Sequence, residues 1–119
     1  MAKNEFKCGH KCADLDALGK MSHEECKHML ADLSKGIAHP ARIQIVSILA
    51  NKPENNRCIC GDIVNALPLA QSSVSQHLKV LKETGWIHGE IHGPSVCYCL
   101  VEGIVDYYRS LVNRAIETA

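Results

Sequence analysis

Seven cysteines in 119 residues are the most chemically distinctive feature of this chain. Cys58-Ile59-Cys60 lies where an extended segment is predicted to become a helix, and Cys8 and Cys12 lie in a polar N-terminal segment. Side chains two positions apart point about 200° apart in mid-helix, but at an extended-to-helix junction both thiols can bind one ion. A helix N-terminus also favours the thiolate, which is the metal-binding form. The two spaced pairs therefore predict a soft-metal site.

The number of cysteines and the expected cellular compartment limit which cysteine chemistry is possible. The total is odd, so the cysteines cannot all be paired in internal disulfides. Residues 1–12 contain no apolar signal-peptide core, and no segment approaches the roughly 18 apolar residues of a membrane span. We therefore expect a cytoplasmic protein with no membrane partner. In that reducing compartment, paired cysteines are more often metal ligands or redox thiols than structural bridges.

The elements that must position these thiols follow from the apolar spacing. Residues 1–20 lack helical periodicity and predict a flexible arm carrying the first cysteine pair, and residues 21–119 predict one folded domain. Its helices are predicted over residues 23–36, 40–51, 60–67 and 71–84. Cys26 lies on the apolar face of the first of them, where a cysteine acts as a small buried hydrophobe. Two β-like runs, 86–91 and 96–101, flank a hairpin tip, and a last helix is predicted over 102–116.

This order of elements predicts a mostly α fold with a β-hairpin wing, that is, a winged helix-turn-helix. The helix at 71–84 opens with small hydrogen-bonding side chains, as a DNA recognition helix does, although the same composition also suits capping and a solvated face. The residues predicted to lie nearest the DNA are Gln71, Ser72, Ser73, Ser75, Gln76, His77 and Lys79. The other histidines are predicted to be surface or capping residues, except that His10 could supplement the arm cysteines.

Charge and composition limit the interpretation as a DNA-binding protein. The 13 basic and 13 acidic residues give a net charge of +0, so the chain as a whole lacks the basic footprint of a nucleic-acid-binding protein. Residues 37–57 carry a small positive surplus. The last helix has an apolar stripe that is too wide to pack on one small core, so we predict a homodimer.

Three segments together resemble the ArsR/SmtB metal-sensing repressors. They are residues 36–46 (GIAHPARIQIV), residues 58–63 (CICGDI) and residues 71–82 (QSSVSQHLKVLK). The resemblance covers about residue 25 to the C-terminus. It implies a winged-helix homodimer that binds double-stranded operator DNA and releases it when metal binds.

The resemblance also implies which ions and ligands to expect. Arm cysteines combined with a Cys-x-Cys pair are similar to the four-thiolate site of cadmium- and lead-sensing members. Arsenite-sensing members use three thiols, and the usual third would fall at Ile63 in this chain. Cys97 and Cys99 lie two residues apart on the second wing strand, so their side chains point to the same face of the sheet. In winged-helix folds, the extended segment that here contains Cys58 pairs with that strand. A wing cysteine is thus predicted to replace the missing ligand, unless both simply fill space under the hairpin.

We expect the inducer to be As(III), Sb(III), Cd(II) or Pb(II), because thiolates select soft ions, although Zn(II) stays open. A zinc site on the last helix is not favoured, because no histidine follows His92. Two other classes of protein are considered. A thiol enzyme lacks support because the chain has no Cys-x-x-Cys motif and no phosphate-binding loop. A cytosolic metal buffer would need neither a wing nor a recognition helix.

Overall fold

The computed structural model describes residues 11–53, 57–60 and 71–117. In order, its elements are α1 (Leu15–Gly19), α2 (His23–Gly36), α3 (Pro40–Ala50), β1 (Cys58–Cys60), α4 (Gln71–Thr84), β2 (Ile87–His92), β3 (Ser95–Leu100), α5 (Ile104–Val112) and a π-helical turn (Asn113–Glu117). The predicted fold class, mostly α with a β-hairpin wing, is confirmed. The predicted helix over 60–67 lies outside the described residues, apart from Cys60, which ends β1. No helix in the described ranges is long and apolar enough to cross a bilayer.

Local signals set the helix ends. The Ser22 hydroxyl accepts a bond from the Glu25 N–H at 3.0 Å, and the Glu25 carboxylate accepts from the Ser22 N–H at 2.8 Å. This capping box starts α2 where it was predicted. Pro40 opens α3 with its fixed φ, and the Nδ1 atom of His39 caps that helix by accepting from the Ala41 N–H at 3.0 Å.

Residues 11–20, the described part of the segment predicted to be a flexible arm over residues 1–20, include a short helix. Asp14 caps a short helix, α1, by accepting a bond from the Ala17 N–H at 2.9 Å. Leu18 from this helix is 3% exposed and belongs to the hydrophobic core. The prediction from apolar spacing missed this helix. A cap at Asp14 and a single buried leucine form too short a pattern to show helical periodicity. Residues 13–20 are therefore part of the folded body.

The three strands form one antiparallel sheet in the order β1-β3-β2. Its inner face packs on the helices through Ile59, Ile87 and Leu100, each no more than 3% exposed. Its outer face carries the alternate side chains of each strand, because successive residues in a strand point to opposite sides. The pairing of β1 with β3 was predicted, and it is confirmed.

The helices enclose a core in which Trp86 joins the sheet to α2. The indole Nε1 donates to the Leu33 carbonyl at 2.7 Å, and the ring lies 5.2 Å from that of Tyr108 on α5. Ile104 and Leu111 of α5 are 4% and 0% exposed, so they belong to the core of the single chain. The interpretation of the whole α5 stripe as surplus apolar surface was wrong for these two residues. Leu15 and Ile116 remain exposed, at 47% and 69%.

Candidate thiol site and reading helix

Four predicted metal ligands lie together on the outer face of the sheet. The register places Cys58 opposite Cys99 and Cys60 opposite Cys97, with Cα–Cα distances of 3.9 and 4.0 Å. The Leu100 N–H donates to the Arg57 carbonyl at 2.9 Å, so that pair is hydrogen-bonded. Antiparallel ladders alternate, which puts both cysteine pairs at non-hydrogen-bonded positions, where facing side chains come closest. The predicted neighbourhood of Cys58 and a wing cysteine is confirmed.

The sulfur atoms in these pairs are joined as disulfides, Cys58 to Cys99 and Cys60 to Cys97. A disulfide sulfur is not the thiolate that binds metal, so the predicted role of these four cysteines as ligands applies to the reduced protein. In keeping with this, no group of three or more His, Cys, Asp and Glu side chains within the described ranges is arranged to hold a metal ion. A metal site on this face requires the reduced protein.

The thiol set of the reduced protein fits a soft ion. Directly opposite residues in a ladder have Cβ atoms about 5 Å apart, and diagonal neighbours lie roughly 7–8 Å apart, within reach of side chains that lean together. Cys97 and Cys99 on the central strand are 2% and 3% exposed, whereas Cys58 and Cys60 on the edge strand are half-buried. An ion would therefore approach from the β1 edge. Sulfur donors favour As(III), Sb(III), Cd(II) or Pb(II) over hard cations.

The third strand extends each cysteine pair into a row. His88 of β2 lies opposite Cys99, and Glu90 lies opposite Cys97. The outer face therefore holds one row of two cysteines and a histidine, and a second row of two cysteines and a glutamate. From the sequence, His88 was predicted to be a surface or capping residue, and no role was predicted for Glu90. Their spacing of two within β2 was visible, but which cysteine each would face depends on the hairpin register, which the sequence pattern left open.

Cys12 of the predicted arm is fixed near this sheet by its backbone. The Ala13 N–H donates to the Glu102 carbonyl at 2.8 Å, and the Glu102 N–H donates to the Lys11 carbonyl at 2.9 Å. Cys12 thus pairs with Glu102 in a parallel bridge, with its side chain exposed. Glu102 follows Cys99 by three residues, about 10 Å of extended chain. Cys8, the other predicted arm ligand, lies outside the described residues.

The remaining cysteine, Cys26, is fully buried in α2. Its burial agrees with the prediction that it acts as a small core hydrophobe.

The helix α4 presents a polar face beside its core face. Val74, Leu78 and Leu81 are buried at the predicted spacing. Ser75, Gln76 and Lys79 are exposed, and Ser73 is half-buried. Gln71 and Ser72 begin the helix, but their side chains lie outside the description. The exposed residues are of the types that bond to base edges and phosphates.

His77, which was predicted to lie near DNA, is buried in the described structure. Its side chain is 9% exposed and packs against the His39 ring at a centroid distance of 4.6 Å. Nδ1 of His77 lies 3.3 Å from Nη1 of Arg42, which can only donate, so the two atoms form a hydrogen bond when Nδ1 carries no proton. Burial lowers the pKa of His77, and the charges of His39 and Arg42 lower it further. The residue links α4 to the start of α3.

Comparison with known proteins points to one group. Residues 39–88 match the family model described as "Bacterial regulatory protein, arsR family". A transcriptional repressor SmtB from Mycobacterium tuberculosis (strain CDC 1551 / Oshkosh) is 42% identical over 71 residues, which are 60% of this chain and 50% of that protein. The regulator NmtR from M. tuberculosis (strain ATCC 25618 / H37Rv) is 32% identical over 87 residues, covering 73% of this chain and 67% of that protein. The chain thus spans half of the SmtB protein and two thirds of NmtR.

A solved structure shares the fold. The crystal structure of an ArsR family transcriptional regulator superimposes with a TM-score of 0.55 and covers 78% of this chain and 95% of the other. Its sequence identity is 16%, so it supports the architecture only.

Proposed function

Because the chain belongs to the ArsR/SmtB family of transcriptional regulators, we propose that it is a DNA-binding repressor that a thiophilic metal or metalloid releases from its operator. The inducing ion is arsenite, antimonite, Cd(II) or Pb(II), bound in the reduced protein through cysteine thiolates. One observation carries the proposal. Cys58 and Cys60, on the strand that precedes the reading helix in the chain, lie in register with Cys99 and Cys97 of the wing.

The position of β1 in the chain couples metal binding at the thiols to DNA binding by α4. Residues 61–70 connect Cys60 to α4, so a change at the thiols acts on the chain just ahead of the reading helix. A ligand shifts a conformational equilibrium only by its difference in affinity for the two states. Going from nearly all repressor on DNA to nearly none requires the ion to favour the DNA-free state by about 5.5 kcal/mol.

We propose two ligand sets. Cys58 and Cys60 with Cys97 or Cys99 give three thiols inside one protomer, which suits arsenite. For Cd(II) or Pb(II), the fourth thiolate comes from Cys8 or Cys12 of the N-terminal segment. The backbone pairing of Cys12 with Glu102 supports this second set, because it holds that segment beside the end of the wing.

The DNA-reading surface is the exposed face of α4. We assign base and phosphate contacts to Gln71, Ser72, Ser73, Ser75, Gln76 and Lys79, and we leave out the buried His77. A homodimer would place two such helices in major grooves about 34 Å apart on an inverted-repeat operator. Acting on DNA in this way, the protein would work in the cytoplasm.

The proposed repressor differs from the two alternatives in what metal does to DNA binding. A thiol enzyme or a metal buffer would bind thiophilic ions without a specific DNA partner. The relatives in M. tuberculosis are named as a transcriptional repressor and a transcriptional regulator. Their names favour the repressor, and a direct DNA-binding experiment separates the three functions.

That experiment measures fluorescence anisotropy of DNA from upstream of the gene, with protein kept reduced. The wild type should bind, and arsenite, antimonite, Cd(II) or Pb(II) should release the DNA while a sulfur-to-metal absorption band appears. Cys58→Ser with Cys60→Ser should bind DNA but ignore all four ions. Release of DNA by metal in this variant would place the sensor elsewhere, and absence of any DNA binding by the wild type would refute the repressor.

A matched control separates the effect on DNA binding from the effect on metal binding. Gln76→Ala changes an exposed side chain on α4, an element that carries none of the proposed cysteine ligands. It should weaken DNA binding and leave the absorption band unchanged. Two double variants then distinguish the ligand sets. Cys97→Ser with Cys99→Ser removes the wing cysteines, and Cys8→Ser with Cys12→Ser removes the arm cysteines. The first pair should abolish the arsenite response, and the second should affect Cd(II) and Pb(II) alone.

A further inference from the structure

The cysteine pairs that we assign to metal binding also form two disulfides across the sheet. We propose that this face is a dithiol switch, in which oxidation closes both pairs and leaves the repressor bound to DNA but unable to respond to metal. The metal-related part rests on the proposed function, whereas the existence of the switch does not.

Register makes the pairs ready for oxidation. Each cysteine of β1 faces one cysteine of β3 at a non-hydrogen-bonded position, so the ladder itself brings the two sulfur atoms together. The sequence separations within the pairs are 41 and 37 residues, yet the fold has already closed those loops. Forming the bonds therefore requires no new long-range ordering of the chain.

The chemistry balances with a peroxide as oxidant. A thiolate from one pair attacks a peroxide oxygen, and the O–O bond breaks to give a sulfenic acid and water after protonation. The facing thiol then attacks that sulfur and expels a second water, which leaves the S–S bond. Each pair gives up two electrons and two protons to one hydrogen peroxide. A dithiol reductant reverses the change by disulfide exchange and is itself oxidised to a disulfide.

Oxidation and metal binding exclude each other because they use the same sulfur atoms. Each S–S bond removes two thiolates, so closing both pairs removes the four ligands of β1 and β3. The half-buried edge cysteines, Cys58 and Cys60, are the ones an oxidant can approach, while Cys97 and Cys99 lie beneath as the partners that complete the bonds. Cys26, fully buried in α2, lies outside this chemistry.

Operator binding should survive oxidation. In the disulfide-linked structure, α4 keeps Val74, Leu78 and Leu81 in the core, and Ser75 and Gln76 remain exposed. The bonds join residues that already face one another, so they do not need to displace the reading helix. The oxidised repressor is thus expected to hold its DNA and to stay there when metal is added.

The test compares reduced, peroxide-treated and dithiothreitol-recovered full-length protein. After denaturation, iodoacetamide should modify four fewer cysteines in the oxidised protein, and peptide mapping should find Cys58 joined to Cys99 and Cys60 to Cys97. Oxidised protein should bind DNA as the reduced protein does, lose the Cd(II) and arsenite absorption changes, and fail to release DNA with either ion. Dithiothreitol should restore both responses.

The outcomes distinguish the two proposals. If reduced protein binds DNA but no metal releases it, the proposed function fails, while the alkylation count and the loss of metal absorption still test the switch. Different disulfide partners, an unchanged metal absorption after oxidation, or release of DNA by peroxide alone would overturn the switch. The variant Cys97→Ser with Cys99→Ser should form neither disulfide with peroxide. If that variant does not fold, peptide mapping of the wild-type protein still shows whether peroxide forms the two disulfides.

Discussion

His77 shows how one residue on α4, the helix that we propose reads DNA, can serve the protein interior. Its ring lies between His39 and Arg42, and a carboxylate that would favour its charged form is absent from its described contacts. Burial, followed by the two neighbouring basic groups, lowers the pKa of His77. The unfolded chain therefore takes up the proton first as the pH falls through about 6.5. The stability contributed by neutral His77 is present above that pH and is lost below it.

We predict that His77→Gln reduces the acid sensitivity of the fold. The thermal midpoint of wild-type protein should fall between about pH 7.5 and about pH 5.5, and the fall should be smaller in the variant. His28→Gln is the control, because its side chain is 76% exposed on α2. An equal pH dependence in wild type and His77→Gln would show that burial of His77 does not set it.

At the scale of elements, the contact between the end of α2 and the junction of α4 with β2 leaves no room for a side chain at Gly36. A Cβ atom there would overlap the Thr84 hydroxyl and lie 2.7 Å from Nε1 of Trp86, the atom that donates to the Leu33 carbonyl. The crowding arises because two side chains from a distant segment, Thr84 and Trp86, approach the backbone at Gly36. The sequence pattern identified Gly36 only as a helix end.

We predict that Gly36→Ala destabilises the protein by about 1–3 kcal/mol, because overpacking forces the Trp86 indole out of its place. Gly19→Ala is the matched control, since nothing lies within 4 Å of its Cβ position, and it should stay within about 1 kcal/mol of wild type. Urea unfolding monitored by Trp86 fluorescence measures both. Equal midpoints for the two variants would contradict the tight contact.

The elements that the sequence predicted well are those with strong local signals. The Ser22 capping box, Pro40 and the spacing of Val74, Leu78 and Leu81 identify α2, α3 and α4 because helix ends and faces are encoded within a few residues. The α1 helix, the placement of Cys12 beside Glu102 and the rows formed by His88 and Glu90 were missed or left open. Each of them depends on which strand or helix a segment meets, and such long-range pairing leaves no periodic mark in the sequence.

For the whole molecule, two of the exposed apolar residues offer a test of the proposed homodimer. Ile104 and Leu111 belong to the core of one chain, so replacing them with Glu would unfold it rather than separate a dimer. Leu15 on α1 and Ile116 in the turn after α5 are exposed instead. The family membership supports a homodimer, and these residues give a way to test it without entering the core.

We predict that Leu15→Glu with Ile116→Glu converts a dimer into folded monomers. Burying unpaired carboxylates in an apolar interface is unfavourable, whereas the same groups on a monomer remain in water. Sedimentation at micromolar concentration should show the wild type as a dimer and the variant at half its mass, with unchanged far-UV circular dichroism. The variant should also lose most of its affinity for an inverted-repeat operator, because each α4 would bind its half-site alone and the gain from linked binding would disappear. A variant that still sediments as a dimer would mean that another surface joins the protomers, and a monomeric wild type with full operator affinity would mean that reading the DNA needs only one chain.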